Sequence, residues 1–330
     1  MKKKLLAALL AGAMCVSLCA CGGTSDETTE PAEDTAAATY TVGICQLVEH
    51  VALDAATQGF QDALIAALGE GAVSFDLQNA QNDSNTCSTI INGFVSGNVD
   101  LILANATPAL QAAAAGTADI PILGTSVTEY GVALELDDFS GTVGGNISGT
   151  SDLAPLDEQA AMLQEWFPDA QNVGLLYCSA EANSQYQVDV VKAELEALGY
   201  TCELYAFSDS NDLSAVCSSA AAACDVIYVP TDNTVAANTG IIDNICRPAK
   251  VPVIAGEEGI CSGCGVATLS ISYYDLGYTT GEMAAAILTG EADISTMAIE
   301  YTTVSKKYNQ AIVDELGLTV PEGYAAIEIG

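Results

Sequence analysis

Short apolar runs alternate along most of this chain with helical repeats of apolar residues. The runs are rich in β-branched residues, and we expect strands at 40–47, 73–79, 101–106, 120–126, 173–178, 202–207, 226–230, 251–255 and 266–271. Between the first two runs, Leu53, Phe60 and Leu64 fall near one helical face, and Gly69 follows as a stop. Continuous apolar strands joined by helices predict parallel sheets that are covered on both faces.

A polar segment rich in glycine and serine, residues 140–153, interrupts this alternation before the strand–helix pattern resumes. We therefore predict an α/β fold of two Rossmann-like lobes with parallel sheets, joined by a hinge. The first lobe is expected to comprise residues 40–150 with a returning segment at about 272–296. The second is expected to comprise residues 151–271 with about 297–330.

The N-terminus indicates export. Three lysines precede an apolar stretch at residues 5–16, which is too short to span a bilayer, and the sequence LCAC at 18–21 resembles a bacterial lipobox. We expect a lipoprotein signal peptide at 1–20, a lipidated Cys21 and a flexible tether at 21–39, so that the protein is anchored to the outer face of a bacterial cell membrane. An ordinary signal peptide cleaved nearby is the alternative.

Charge and cysteine content exclude several classes of function. Acidic residues outnumber basic ones 43 to 8, for a net charge of −35, which argues against a nucleic-acid partner. Nine cysteines follow Cys21, an odd number that cannot pair completely. Cys261 and Cys264 form the only close pair, and a four-cysteine zinc site needs a second one, so we predict no metal and no cofactor. A redox-active pair should open a helix, whereas this pair is expected in a glycine-rich turn, which leaves an incidental disulfide as the alternative.

Polar residues cluster just beyond the predicted strand ends, where open parallel sheets bind their ligands. The candidate ligand-binding residues are Glu49, His50, Thr107, Pro108, Thr125, Ser126, Val127, Glu181, Asn183, Ser184, Asp232, Asn233 and Glu257. Some of them, such as Thr107, Ser184 and Asn233, could instead cap the helices that they precede. Capping alone does not require so many acidic residues at strand ends.

Several of these segments resemble the tryptophan/tyrosine-type substrate-binding proteins of ABC transporters. The similar segments are QLVEHVALD at 46–54, QGF at 58–60, ANATP at 104–108, SVT at 126–128, EANS at 181–184, PTDN at 230–233 and YYDLG at 273–277. The resemblance implies a periplasmic-binding-protein type I fold, an aromatic amino acid as ligand, and a permease and an ATPase as partners of a monomeric protein. Two departures, His50-Val51 and Glu129-Tyr130, flank the cleft and leave room for another ligand.

The chemistry of the candidates suits a zwitterion. Thr107 and the backbone of 125–127 are expected to hold an α-carboxylate, and Asp232 or Glu181 to accept hydrogen bonds from an α-ammonium group. The two residues that flank Asp232 are expected to cap the following helix, which would leave the Asp232 carboxylate free to face the ligand.

Other functions remain open alternatives. An aromatic ligand needs an apolar wall, for which Phe75, Tyr130 and Tyr186 are available. A two-lobed racemase would need paired thiols across the cleft, but the first lobe has no cysteine to oppose Cys178, so we predict no catalytic residues. A binding protein for a nucleoside or a sugar is disfavoured by the single arginine, Arg247, because sugar clefts generally add Arg or Asp hydrogen bonds to an aromatic sandwich. A binding protein for another amino acid remains an alternative.

Overall fold

The computed structural model describes residues 39–328. The predicted signal peptide, the lipidated Cys21 and almost all of the tether lie outside this range. Within the range, no helix is long and apolar enough to cross a membrane.

Strands and helices alternate through the described chain. The strands are β1 (Tyr40–Gln46), β2 (Val73–Asn79), β3 (Leu101–Asn105), β4 (Ile122–Val127), β5 (Ile147–Ser151), β6 (Asn172–Cys178), β7 (Thr201–Phe207), β8 (Val226–Val229), β9 (Val253–Ala255), β10 (Ala267–Ile271), β11 (Glu300–Tyr301), β12 (Val304–Tyr308) and β13 (Ala325–Ala326). The helices are α1 (Val51–Leu68), α2 (Ser84–Gly97), α3 (Thr107–Gly116), α4 (Tyr130–Ala133), α5 (Leu156–Trp166), α6 (Ala182–Ala197), α7 (Ser210–Ala223), α8 (Asn233–Ala236), α9 (Thr239–Ala249), α10 (Glu258–Cys264), α11 (Tyr273–Leu288) and α12 (Gln310–Leu316), and a 3-10 turn covers Ile294–Thr296.

Two separate sheets confirm the predicted α/β fold of two lobes. The first has the strand order β11-β5-β4-β3-β1-β2, and all of its pairs are parallel. The second has the order β13-β12-β10-β9-β8-β6-β7, in which only β12 pairs antiparallel to its neighbour β10. Apolar side chains are buried on both faces of each sheet, as parallel strands require.

The segment at 140–153, which the sequence suggests is only a break, contains strand β5. Its residues ISGTS are fully buried even though three of the five carry hydroxyl groups. The hydroxyls are satisfied internally, since Thr150 Oγ1 lies 2.8 Å from Thr280 Oγ1 and Ser148 Oγ donates to the Met297 carbonyl at 3.1 Å. At Gly149, a Cβ would lie 2.1 Å from the Gly124 carbonyl oxygen, so this strand needs glycine to pair closely with β4.

The chain crosses between the sheets three times, at 152–155, at Ser272 and at 302–303. After the second crossing, α11 packs along α1 of the first lobe so closely that a Cβ on Gly277 would lie 1.9 Å from the Ala56 carbonyl oxygen. Strand β11 then pairs with β5, so the chain stays with the first sheet up to Tyr301 and not only to about residue 296.

Candidate functional site

The carboxyl ends of the two sheets face each other across one cavity. Its lining comes from the ends of β1, β4 and β5 in the first sheet and of β6, β8, β9 and β10 in the second. The lining residues are His50, Leu53, Ser126, Thr128, Asp152, Asn183, Thr231, Asp232, Asn233, Ala236, Glu257 and Tyr273. The space between these side chains amounts to about 270 Å³, and side chains of the two lobes form hydrogen bonds beside it, so the lobes are closed on one another.

The structure brings six of the thirteen candidate residues to this cavity: His50, Ser126, Asn183, Asp232, Asn233 and Glu257. The other seven lie elsewhere. Glu49 faces a separate depression on the first lobe, and the Thr125 hydroxyl is directed away from the cavity to Thr150, at 3.2 Å. The remaining five, which do not line it, are Thr107, Pro108, Val127, Glu181 and Ser184, all buried.

Asp232 is itself the N-cap of α8, so the expectation that its carboxylate is free is wrong. Asp232 Oδ1 accepts a hydrogen bond from the Val235 backbone N–H at 2.9 Å, and Oδ2 accepts one from the Cys178 N–H at 2.7 Å. The flanking residues were expected to cap this helix, but neither does so. Burial, followed by the nearby charge of Glu181, raises the pKa of Asp232 above its ordinary value.

Glu181 is likewise occupied within its own lobe. Its carboxylate accepts four hydrogen bonds of 2.8–3.0 Å from the backbone and side chains of Asn233 and Thr234. Glu181 therefore fixes the first turn of α8 and has little capacity left for a ligand.

Glu257 is the N-cap of α10, accepting hydrogen bonds from the backbone N–H groups of Gly259 and Ile260. Burial raises the pKa of Glu257 to about 7. The same helix contains Cys261 and Cys264, which are buried free thiols in a helix and not in the glycine-rich turn that the sequence suggests. No group of three or more potential metal ligands occurs among residues 39–328.

Two hydrogen bonds join the lobes beside the cavity, and both end on the first turn of α8. His50 Nε2 lies 3.3 Å from Asn233 Oδ1, and Asn82 Nδ2 donates to Thr234 Oγ1 at 2.9 Å. Burial lowers the pKa of His50, so the imidazole is neutral at pH 7 and can donate this bond in one tautomer. The turn that Glu181 fixes is thus one of the points at which the first lobe contacts the second, alongside contacts of α4 with α6 and of α1 with α10.

Asp152 and Tyr273 are cavity residues that the candidate set lacks. Asp152 follows β5 at the first crossing, Tyr273 follows the second crossing, and the Tyr273 hydroxyl donates to Asp152 Oδ2 at 2.8 Å. Burial raises the pKa of Asp152, while the hydroxyls of Tyr273 and Thr128 oppose this shift. The strand-end rule would have selected Asp152, which directly follows β5, but the sequence does not predict a strand there.

Three buried polar atoms of the cavity-lining residues have no hydrogen-bond partner among the described residues: Asp152 Oδ1, Asn183 Oδ1 and Ser126 Oγ. The Asn183 amide is oriented by its nitrogen, which donates to the Thr231 carbonyl at 3.1 Å, so its oxygen is the atom left over. A carboxylate oxygen and an amide oxygen can only accept, and a hydroxyl can do so as well. The cavity is therefore suited to a ligand group that carries several N–H or O–H donors.

The aromatic residues proposed as a wall lie elsewhere. Tyr130 is buried in the first lobe, where it donates to the Thr150 carbonyl at 3.0 Å and stacks on Phe139. Phe75 packs against the first lobe's core, and Tyr186 packs at the edge of the second. Of the aromatic side chains that the structure describes, only Tyr273 lines the cavity.

Comparisons with known proteins agree with this geometry. The family model described as "ABC transporter substrate binding protein" matches residues 41–327. A tyrosine-binding protein of Clostridioides difficile is 36% identical over 312 residues, covering 92% of this chain and 89% of that protein. The structure of an ABC domain from Streptococcus pneumonia in complex with L-Trp is 30% identical with a TM-score of 0.83, covering 88% of this chain and all of that one.

A third comparison concerns conformation. The ligand-free, open structure of a substrate-binding protein with adhesive properties from Clostridium difficile is 38% identical and covers 88% of this chain and all of that one, but its TM-score is only 0.67. The present structure is therefore closer in shape to the L-Trp complex, although its sequence is closer to the open protein. This difference agrees with the two hydrogen bonds that join the lobes here.

Proposed function

We propose that this chain, which belongs to the ABC transporter substrate binding protein family, captures an aromatic amino acid between its two lobes for import into the cell. The observation that carries the proposal is the cavity between the sheets, with buried acceptors left unpaired. A zwitterionic amino acid brings an ammonium group with three donors to such acceptors.

The choice of an aromatic side chain rests on the relatives. Both the tyrosine-binding protein and the L-Trp complex are at least 30% identical to this chain over most of its length. Because the lobes are closed over the cavity, an aromatic amino acid can enter only after the lobes open. Tyr273 is the only described aromatic residue that lines the cavity. We propose that His50, Ser126, Asn183 and Tyr273 contact the ligand.

Membership of this family implies that the protein lies outside the cytoplasm of a bacterium and acts together with a permease and an ATPase. We propose that the protein is monomeric, reaches the membrane through a lipid on Cys21 and performs no catalysis. Cys21→Ser should move the protein from the membrane fraction to the soluble fraction, and a wild-type protein that is already soluble without detergent would contradict the anchor.

The experiment for the ligand is a thermal-shift screen of the purified protein followed by calorimetry. Tryptophan, tyrosine and phenylalanine are compared with aliphatic amino acids, nucleosides and sugars. A ligand at a hundredfold excess over its Kd should add about 2.7 kcal/mol to the free energy of unfolding. Stabilisation by sugars or nucleosides alone would contradict the proposal. Chiral chromatography of the recovered ligand tests the racemase alternative, since a binding protein returns the L-enantiomer unchanged.

A further inference from the structure

We infer that Asp152, together with Ser126 and Asn183, forms the subsite for the ligand's ammonium group and so makes the protein select amino acids over carboxylic acids that lack the amine. This inference rests on the proposed function and assigns one part of it to particular atoms. It differs from the sequence-based expectation, in which Asp232 or Glu181 accepts the ammonium hydrogen bonds.

Asp152 differs from the other buried carboxylates at this edge because one of its oxygens has no hydrogen-bond donor within residues 39–328. Asp232 and Glu257 each accept two backbone hydrogen bonds, and Glu181 fixes the first turn of α8. Asp152 is only 3% exposed, and its Oδ2 accepts from Tyr273. The Thr128 hydroxyl is a further favourable neighbour of this carboxylate, but no donor in the described chain meets Oδ1 with hydrogen-bond geometry. A buried carboxylate oxygen without a partner is unfavourable, so a donor from a ligand satisfies an existing need.

The charge of the lining also favours a cation over an anion next to Asp152. No lysine or arginine is among the lining residues of this cavity, as far as the structure describes the chain. The single histidine, His50, has a lowered pKa and is neutral at pH 7. An ammonium group would thus be the only positive charge beside Asp152, where a charge-assisted hydrogen bond is strong.

The three unpaired acceptors come from different parts of the fold. Ser126 belongs to β4 of the first lobe, Asn183 to α6 of the second, and Asp152 to the crossing between them. An ammonium group has three donors, one for each acceptor, so its binding would join both lobes to the hinge. This arrangement makes closure dependent on the amine and not on the aromatic side chain alone.

The test compares a ligand with its analogue that lacks the amine. Calorimetry measures L-tyrosine against 3-(4-hydroxyphenyl)propanoate, or L-tryptophan against indole-3-propanoate if tryptophan binds more tightly. The wild-type protein should prefer the amino acid by about thirtyfold or more. In Asp152→Asn that preference should fall at least about tenfold, because the amide offers no charge, while the affinity for the analogue stays within about threefold.

Two further variants keep the test decisive. Asp209→Asn is the matched control, an acid-to-amide change at an exposed carboxylate that caps α7 and does not line the cavity, and it should leave the preference unchanged. Ser126→Gly removes the hydroxyl while tolerating the φ of 54°, and should reduce the preference even if Asp152→Asn does not fold. If neither amino acid binds the wild-type protein, the proposed function fails and the subsite with it. If one binds but the folded variants keep the wild-type preference, only the subsite is overturned.

Discussion

The hydrogen bond from Asn82 to Thr234 allows closure of the lobes to be weakened without altering the cavity. Asn82 lies in the first lobe and does not line the cavity, yet its side-chain amide reaches the first turn of α8 in the second lobe at 2.9 Å. Its backbone φ is 62°, a conformation in which alanine is strained and glycine is not. Asn82→Gly therefore removes the bond between the lobes with little change to the loop itself.

The expected effect follows from the strength of one neutral hydrogen bond. Such a bond contributes about 0.5–1.5 kcal/mol net, which corresponds to about a twofold to twelvefold change in the ratio of closed to open protein. Because the ligand is held by the closed form, its apparent Kd rises by the same factor when the open form predominates without ligand. The free energy of unfolding of the first lobe should change much less, since the lost bond lies between lobes.

Calorimetry with the tightest aromatic amino acid measures this Kd, and small-angle scattering measures the radius of gyration with and without ligand. Asn98→Gly is the matched control, because Asn98 is exposed in the same lobe with a φ of 51° and bonds only within its own turn. A Kd that changes by less than twofold in Asn82→Gly, or equally in both variants, would refute the role of this bond in closure.

Three other predictions concern the edges of the site. Glu181→Ala should lower the free energy of unfolding by about 1–3 kcal/mol and weaken ligand binding, because the turn of α8 loses its acceptor. Urea titration measures the stability and calorimetry measures the binding, and unchanged values in both would contradict this prediction. Since the folded pKa of Glu257 is about 7, above its unfolded value of about 4.3, the ligand-free protein should lose stability as the pH rises from about 4 to 7, and Glu257→Gln should flatten that dependence in thermal melts. Of the nine described thiols, only that of Cys202 is not buried, so peptide mass spectrometry of the natively labelled protein should find one maleimide within residues 39–328, on Cys202, and none there in Cys202→Ser.

The fold was largely predictable because most strands consist of apolar, β-branched runs. Every strand predicted in this way is present, with ends within two residues. Strand β5 was not predicted, because its residues ISGTS satisfy their hydroxyls through partners that are distant in sequence, such as Thr280. Strands β11 and β13 are two residues long and carry no periodicity to detect.

The site was predictable in position but not in the role of each side chain. The rule that ligands bind beyond strand ends led to His50, Ser126 and Asn183, which do line the cavity. It could not tell a capping carboxylate from a free one, because both follow a strand and precede a helix. Asp232 illustrates this limit, since its neighbours Thr231 and Asn233 are equally good caps by residue type and only the backbone geometry decides among them.

The unpaired acceptors explain why closure of such a cleft should depend on a ligand. In the closed form the two bonds between the lobes contribute about 0.5–1.5 kcal/mol each, whereas each buried acceptor without a partner is unfavourable by about 1–3 kcal/mol. Opening would let water reach Asp152, Ser126 and Asn183, so a ligand that supplies the donors shifts the balance toward the closed form. The capped carboxylates Asp232 and Glu257 keep their partners in either form and therefore do not bias this equilibrium through their hydrogen bonds. In a transporter, this dependence would allow the closed shape itself to report that a ligand with an amine has been captured.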